Sequence, residues 1–335
     1  MPAASLPPLL WLSASDVSGA MPDIEERLRL AEVTLTAFAH EGRAQLPAKI
    51  AIHPRPTGSF VHAMPALLRA EDPAGDLVGM KWVAAFPTNN ERGLAAISAV
   101  VVVNDPGTGL PSAIVDGGPI TAERTAAVSG VAIRRYGPTH LGRTPRVALL
   151  GAGVQGHSHV PVLAHLLPGL ELRLFDRDPA RAAALAERAR TIRGVANVSI
   201  RPTARDAVLD ADVVVSAASF GTKAEAQSMT NAWLRPDATV VPIDYATYCA
   251  AEVARDASLF LVDEREQFLA NRGSGAFDGY PYPDATIGEA IVAGTPRPPG
   301  RVVVTHLGVG LADLVFADAI VRVARERGLG TPLPR

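Results

Sequence analysis

The sequence predicts an α/β fold: a doubly wound parallel sheet of the Rossmann type, joined to a smaller α+β region. Three observations carry this. From 147 to 262, short apolar runs alternate with helical stretches, as strands covered on both faces by crossover helices do. Within that alternation, Arg146–Leu150 leads into Gly151-Ala152-Gly153-Val154-Gln155-Gly156. A helical run follows from His157 to Leu167, and a second apolar run, Leu170–Phe175, ends in Asp176. Strand, glycine turn, helix, strand and acid stand in the frame of a dinucleotide-binding fingerprint. Ahead of this frame, residues 46–116 change to short β-like runs broken by turn residues.

Taken in order, residues 20–40 read as a helix, with Asp23, Glu25 and Glu26 near its start and Ile24, Leu28, Leu30, Ala31 and Val33 as its apolar positions. Lys49–Ile52, Val78–Phe86 and Ala96–Val103 read as strands. The turn cluster Asn104-Asp105-Pro106-Gly107-Thr108-Gly109 joins the last of these to Ala113–Val115 as a hairpin. Thr121 is expected to cap a helix through about Tyr136, and Pro138–Pro145 to be a linker. Further strands are expected at 147–150, 171–175, 197–201, 212–216, 238–243 and 258–262, with a last one over Arg301–Leu307. Leu311–Arg325 is a final amphipathic helix that returns to the first domain. The expected domains are 1–137 with 308–335, and 138–307.

Composition narrows the function classes. The chain has 335 residues, 48 % of them apolar, and a formal net charge of −2. That size suits two domains, and the charge gives no sign of a nucleic-acid or membrane-surface partner. The single cysteine, Cys249, allows neither an internal disulfide nor a thiolate metal cluster, and reads as structural. The first residues lack the charged segment of a signal peptide, and no apolar run is long enough to span a bilayer. A cytoplasmic location is therefore expected. His157 and His159 sit two apart at a helix start, which is no metal-ligand spacing, and no metal is expected. Asp263-Glu264-Arg265-Glu266 reads as a solvated helix start, and Arg272-Gly273-Ser274-Gly275 as a mobile loop.

Lys81 is one of three lysines, with Lys49 and Lys223, in a chain whose basic residues are otherwise arginine. Its neighbours Leu77, Val78, Met80, Trp82 and Val83 favour a partly buried ammonium, which needs a partner or a ligand. Such a group has an adjustable pKa and suits proton transfer or polarisation of a substrate. In the glycine turn, Gly151 permits the tight bend, Gly153 lets backbone approach a pyrophosphate, and Gly156 lets helix and strand pack closely. Val154 and Gln155 open the helix whose N-terminus would face phosphate. Asp176 can accept the adenine-ribose hydroxyls and would repel a 2′-phosphate, so NAD is expected, with NADP possible through Arg177. Ser216, Ala217, Ile243 and Gly308, at or just past the ends of expected strands, complete the candidate cofactor contacts.

The chain resembles the ornithine cyclodeaminase/mu-crystallin family. The motifs that carry the resemblance are Met64-Pro65-Ala66, Gly79-Met80-Lys81-Trp82-Val83, and Asn104-Asp105 with Thr108-Gly109. They continue through Thr121-Ala122-Glu123-Arg124-Thr125-Ala126-Ala127, Gly151-Ala152-Gly153-Val154-Gln155, and the late Gly308 and Asp313. Their order and spacing follow the family from about residue 20 to 330. The resemblance implies a Rossmann domain plus a split α+β N-terminal domain that binds substrate and forms a homodimer. It implies NAD(P)-dependent chemistry at the C–N bond of a small amino acid, keto acid or imine. Members include cyclodeaminases, alanine dehydrogenases, ketimine reductases and a diaminopropionate-releasing dehydrogenase. Lys81 would be the active-site lysine, with Met64 in the substrate site. Arg124 would lie near the substrate carboxylate, and Arg124 with Thr125 near the cofactor. Lys81-Trp82 with Phe86-Pro87 and Asn89-Asn90, and the 104–111 hairpin, are locally most similar to the diaminopropionate-forming branch.

Two departures stand out. Lys49 falls where many members carry a carboxylate-binding arginine; it keeps the charge and loses the bidentate fork. Ala246 falls where cyclodeaminases carry an aspartate. Asp244, two residues earlier, either takes that catalytic role or is a strand-end carboxylate. The expected activity is an amino-acid dehydrogenase or ketimine reductase. The alternatives are a cyclodeaminase-like lyase that uses NAD within one turnover, and a non-catalytic, crystallin-like nucleotide-binding protein.

Overall fold

The computed structural model describes residues 6–138, 142–219 and 226–335. The chain divides into two compact units, Met1–Arg124 with Val309–Arg335, and Thr125–Gly308. The division falls inside a helix, ahead of the linker expected over 138–145, part of which lies outside the described residues.

The first unit opens with strand β1 (Leu9–Leu12) and helices α1 (Ala14–Gly19) and α2 (Ile24–Ala37). Ser13 and Asp16 close a capping box on α1, and the Asp23 side chain caps α2 by accepting from the Glu26 amide. Strands β2 (Ala44–Gln45), β3 (Ile50–Ile52), β4 (Phe60–Leu68), β5 (Leu77–Ala85), β6 (Ile97–Asn104) and β7 (Pro111–Asp116) follow, then helix α3 (Gly117–Tyr136). After the second unit the chain returns as α10 (Gly310–Arg327) and β16 (Thr331–Leu333). Among the described residues the sheet runs β16-β1-β7-β6-β5-β4-β2, with β3 also on β4. β4 to β7 form an antiparallel meander, and β1 pairs parallel with β7.

β4 has no counterpart in the expected elements, because Pro65 interrupts its pattern and proline rarely sits inside a sheet. The register explains the exception. Leu67 and Leu68 pair with β2 and Val61–Ala63 with β3, so among the described residues no strand lies opposite Pro65 on that side. Period-2 alternation gives β5 two faces. Gly79, Lys81, Val83 and Ala85 are buried, whereas Val78, Met80, Trp82 and Ala84 are partly or well exposed. α10 packs on β4, β5 and β6. A Cβ on Gly310 would stand 2.7 Å from the Met64 carbonyl oxygen, so only glycine allows this approach.

The second unit contains β8 (Arg146–Leu150), α4 (Val154–Leu166), β9 (Leu170–Phe175), α5 (Pro179–Arg190), β10 (Val195–Ile200), α6 (Ala204–Val208), β11 (Val213–Ser216), β12 (Thr239–Pro242), α7 (Ala251–Arg255), β13 (Leu259–Val262), α8 (Arg265–Gly273), β14 (Ala285–Thr286), α9 (Ile287–Val292) and β15 (Val302–Thr305). The sheet order is β10-β9-β8-β11-β12-β15-β13-β14, with every pair parallel. Ala148 and Leu150 enter one hydrophobic core, and Val147 and Leu149 the other. A sheet covered on both faces is the doubly wound arrangement.

Several local expectations are corrected. Thr121 lies a turn inside α3 instead of capping it, and its hydroxyl donates to the Gly117 carbonyl. Asp263 is buried, not solvated: its carboxylate accepts from the Leu307 and Gly308 amides. Arg272 and Gly273 form the end of α8, with Ser274 as its C-cap and Gly275 in the turn beyond. β1, α1 and the two-residue β14 were too short to carry a periodic signal.

Candidate functional site

Two sets of residues carry chemistry, one in each unit. In the second, β8 ends at Leu150 and is followed by Gly151, whose φ of +105° places it where glycine alone is unstrained. A Cβ there would meet the Ala217 carbonyl oxygen at 2.5 Å, and one on Gly156 would meet the Gly151 carbonyl oxygen at 2.4 Å. Gly153 differs: a Cβ would touch nothing within 4 Å. It is the N-cap of α4, with no side chain capping the helix. Open space beside a helix N-terminus fits a pyrophosphate.

A cavity of about 280 Å³ adjoins the turn, lined by Gly151, Gly153, Asp176, Arg177 and Ala217 together with Arg181 and Tyr248. The Asp176 carboxylate accepts from the Ala152 amide at 2.6 Å and the Asp178 amide at 2.8 Å, which fixes its orientation at the rim. Val154, Gln155, Gly156, Ser216, Ile243 and Gly308 do not line this cavity. Val154 is exposed at the start of α4 and Ser216 buried at the end of β11. The Ile243 amide donates to the Ser216 carbonyl. Thr125 is buried on α3.

Asp244 is buried just past β12, and neither carboxylate oxygen has a hydrogen bond of good geometry among the described residues. Burial raises its pKa to about 7. Ser216 and the amides of Ala218, Thr247 and Tyr248 lie close enough to pull the other way without offsetting it. Tyr245 and Ala246, which follow, have φ of 54° and 62°. The chain therefore turns sharply where the cyclodeaminase aspartate would stand. Cys249 is buried, its thiol pushed up to about 12 by burial, so it is inert.

In the first unit, Lys81 on β5 and Arg124 on α3 meet at Asp313 on α10. Lys81 Nζ donates to Asp313 Oδ1 at 2.9 Å and to the Thr121 hydroxyl at 2.7 Å, and Arg124 Nε donates to the same Oδ1 at 3.1 Å. Lys81 is 2 % exposed, Arg124 6 % and Asp313 fully buried. Burial lowers the Lys81 pKa to about 8, with Asp313 resisting and Arg124 assisting. Burial would raise the Asp313 carboxyl, but the two cations outweigh it and hold its pKa below the usual value. The result is a lysine that gives up or takes a proton near neutrality, beside a fixed guanidinium. Met64 stands directly opposite Lys81 on β4. Lys49 lies near His62, whose imidazole burial lowers to about 4; the charges of Lys49, His53 and Lys81 push the same way.

The sequence reading left Asp313 and Thr121 out of the site, although both stood in its motifs; only packing shows what they touch. It also left out a buried chain of three residues in the second unit. Ser129 Oγ lies 2.9 Å from His159 Nε2 and 2.8 Å from His306 Nε2, and His159 Nδ1 lies 2.6 Å from the Gln155 carbonyl oxygen. A carbonyl only accepts, so His159 carries its proton on Nδ1. Ser129 then donates to His159, and His306 donates to Ser129. The residues lie 30 and 177 positions apart, which no local pattern reveals.

Comparison with known proteins places these features in a lineage. The profile of the ornithine cyclodeaminase/mu-crystallin family matches residues 13–320. The nodulation efficiency protein NfeD of Rhizobium meliloti is 32 % identical over 332 residues, covering 97 % of this chain and 98 % of its own. Ketimine reductase mu-crystallin of Mus musculus is 27 % identical over 317 residues, covering 92 % and 96 %. Among solved structures, the Delta(1)-pyrroline-2-carboxylate reductase of Thermococcus litoralis, in complex with NADH and L-proline, has a TM-score of 0.82. Its sequence identity is 24 %, and the match covers 97 % of this chain and 100 % of that one.

Proposed function

The chain belongs to the ornithine cyclodeaminase/mu-crystallin family, and on that premise we propose that it is an NAD(P)-dependent oxidoreductase acting on the C–N bond of an amino acid or its imine. The observation that carries the reading is the buried Lys81–Asp313–Arg124 cluster, with a lysine pKa near 8. The similarity to a ketimine reductase and to a pyrroline-2-carboxylate reductase supports the class of reaction.

In this reading the glycine turn, the α4 N-terminus and Asp176 hold the nucleotide, with NAD(H) preferred because Asp176 disfavours a 2′-phosphate. Bound there, the nicotinamide would supply hydride to the substrate Cα or accept it. Lys81 Nζ donates a proton to the substrate nitrogen as the C=N bond is reduced and takes it back in the reverse direction. Asp313 keeps the ammonium form accessible in a buried site, and Thr121 orients it. Arg124 holds the substrate carboxylate, with Lys49 adding positive charge. The first unit also forms the homodimer.

The test is turnover of NADH with keto acids plus ammonia, and with cyclic imines. Lys81→Ala is expected to lose about 10²–10³ in kcat, the usual worth of one group that stabilises developing charge. The NADH Kd should stay within a few-fold of the parent. Lys81→Arg should not restore activity, because a guanidinium does not give up its proton. Near-parental turnover in Lys81→Ala would overturn the reading. The second reading, a cyclodeaminase-like lyase, is favoured by Asp244, a buried carboxyl raised to about 7 that could serve as a base. Deamination of a diamino acid with no net change in NADH would establish it.

A further inference from the structure

Deepening the cofactor part of the reading above, and resting on it, we propose that Asp244 is a positioning residue for the nucleotide. It fixes the two segments that wall the cavity, 217–219 and the 245–248 turn, and so sets Tyr248 against the adenosine-diphosphate half of the ligand. Asp244 is buried just past β12 and does not line the cavity. Its neighbours on two sides do. Ser216 and the Ala218 amide lie close to its carboxylate from the end of β11, and the Thr247 and Tyr248 amides from its own turn. Ala218, Ser219 and Tyr248 line the cavity together with Gly153 and Asp176. An acid at the end of the second strand of this fold meets the adenine ribose, and the glycine turn meets the diphosphate. Tyr248 shares that half of the site.

The turn that carries Tyr248 is held from outside. Tyr245 and Ala246 have φ of 54° and 62°, and the Thr247 amide closes the turn on the Asp244 carbonyl at 3.1 Å. Two positive φ values in a row usually call for asparagine and glycine. In tyrosine and alanine they persist only where the surroundings impose them. Here the Tyr245 ring stacks on Phe277, with centroids 5.9 Å apart, and the Met229 amide donates to the Tyr248 carbonyl at 2.8 Å. Asp244 links this turn to the 217–219 segment. Both of its carboxylate oxygens and Ser216 Oγ are buried, and none has a well-aligned hydrogen bond among the described residues. A buried carboxyl so placed gains hydrogen bonds when the two walls draw in on it. A ligand that touches both walls favours the same movement, so the two effects reinforce each other. Unlike a base, Asp244 needs no contact with the substrate for this.

Calorimetry with NADH and with ADP-ribose, which lacks the nicotinamide, tests this. Asp244→Asn and Tyr248→Ala should each raise both Kd values at least about ten-fold. The double variant should stay within about two-fold of the weaker-binding single variant, because one residue acts through the other. In imine reduction, Asp244→Asn should raise the KM for NADH and keep kcat at saturating NADH within about three-fold of the parent. Tyr248 is half-buried, so its variant decides the matter even where Asp244→Asn destabilises the fold. The proposal is overturned if either single variant keeps the parental ADP-ribose Kd, or if the two effects multiply in the double variant. It is also overturned if Asp244→Asn lowers kcat about 10²-fold or more with both Kd values unchanged, as loss of a base would. A parent that binds neither ligand at millimolar concentration removes the nucleotide reading and this proposal together. Parental binding with insensitive variants removes this proposal alone.

Discussion

Asp313 decides how Lys81 titrates. Its carboxylate raises a lysine pKa that burial alone would push further down. In Asp313→Asn the basic limb of the kcat–pH profile for imine reduction, expected near pH 8 in the parent, should move to lower pH, because the proton-donating form is lost sooner. An unmoved limb would show that another group sets it. The variant also leaves two buried cations without their counter-charge, a change that typically costs about 3–5 kcal/mol. The profile should therefore be read well below the melting temperature. His159 gives a second prediction, in stability. Burial lowers its pKa from 6.5 to about 4, so between those values the unfolded chain binds more protons than the folded one. The contribution to stability is complete above pH 6.5 and is lost as pH falls toward 4. Urea unfolding at pH 7 and pH 5 should show about 2 kcal/mol less acid-induced loss in His159→Gln than in the parent. Equal losses would contradict the assignment.

At the scale of the element, the glycine turn separates folding from binding. Gly156 is where α4 meets the end of β8: its Cβ would stand 2.4 Å from the Gly151 carbonyl oxygen and 3.1 Å from Leu185. Gly156→Ala should lower the melting temperature, because backbone would have to shift. Gly153→Ala should leave the melting temperature within about 2 °C, since a change of a few tenths of a kcal/mol moves it little. It should nevertheless raise the NADH Kd at least about ten-fold, by filling the space left for phosphate. Thermal melts with NADH titrations of both variants check the pair, and the reverse order of effects would show that the open space at Gly153 is not the phosphate site. These roles could be read from the sequence because strand–turn–helix geometry is local. β4 could not, since what makes Pro65 tolerable is a gap between two other strands.

At the scale of the molecule, the sheet of the first unit has one face under α10 and another that, among the described residues, carries several exposed apolar side chains. Ile50, Ile52 and Trp82 are 63 %, 55 % and 43 % exposed, and Met80 and Val102 lie on the same face by register. A patch of this kind marks an interface, which supports the expected homodimer. Sedimentation should give about twice the 35.0 kDa chain mass, and Trp82→Glu should shift it toward the monomer. A single-chain species for the parent at micromolar concentration would contradict the dimer. Among the described residues, no helix is long and apolar enough to cross a membrane.

The sequence by itself determined the alternation of apolar strands and helices, the glycine turn with Asp176, and the identity of Lys81 and Arg124 as the residues to watch. All but Arg124 are written in a window of a few residues, where periodicity, backbone freedom or residue type speaks directly; Arg124 was singled out only by the resemblance to the family's motifs. Tertiary structure alone decided that Asp313, 189 positions from Arg124 and 232 from Lys81, binds both. It alone decided that Asp263 is buried on the 307–308 backbone, and that Ser129 joins two histidines. These depend on strand register and helix docking, which bring together side chains whose positions in the chain bear no relation to one another. The electrostatics follow the same division: a lysine's type can be read anywhere in a chain, but its pKa is set by what is packed around it.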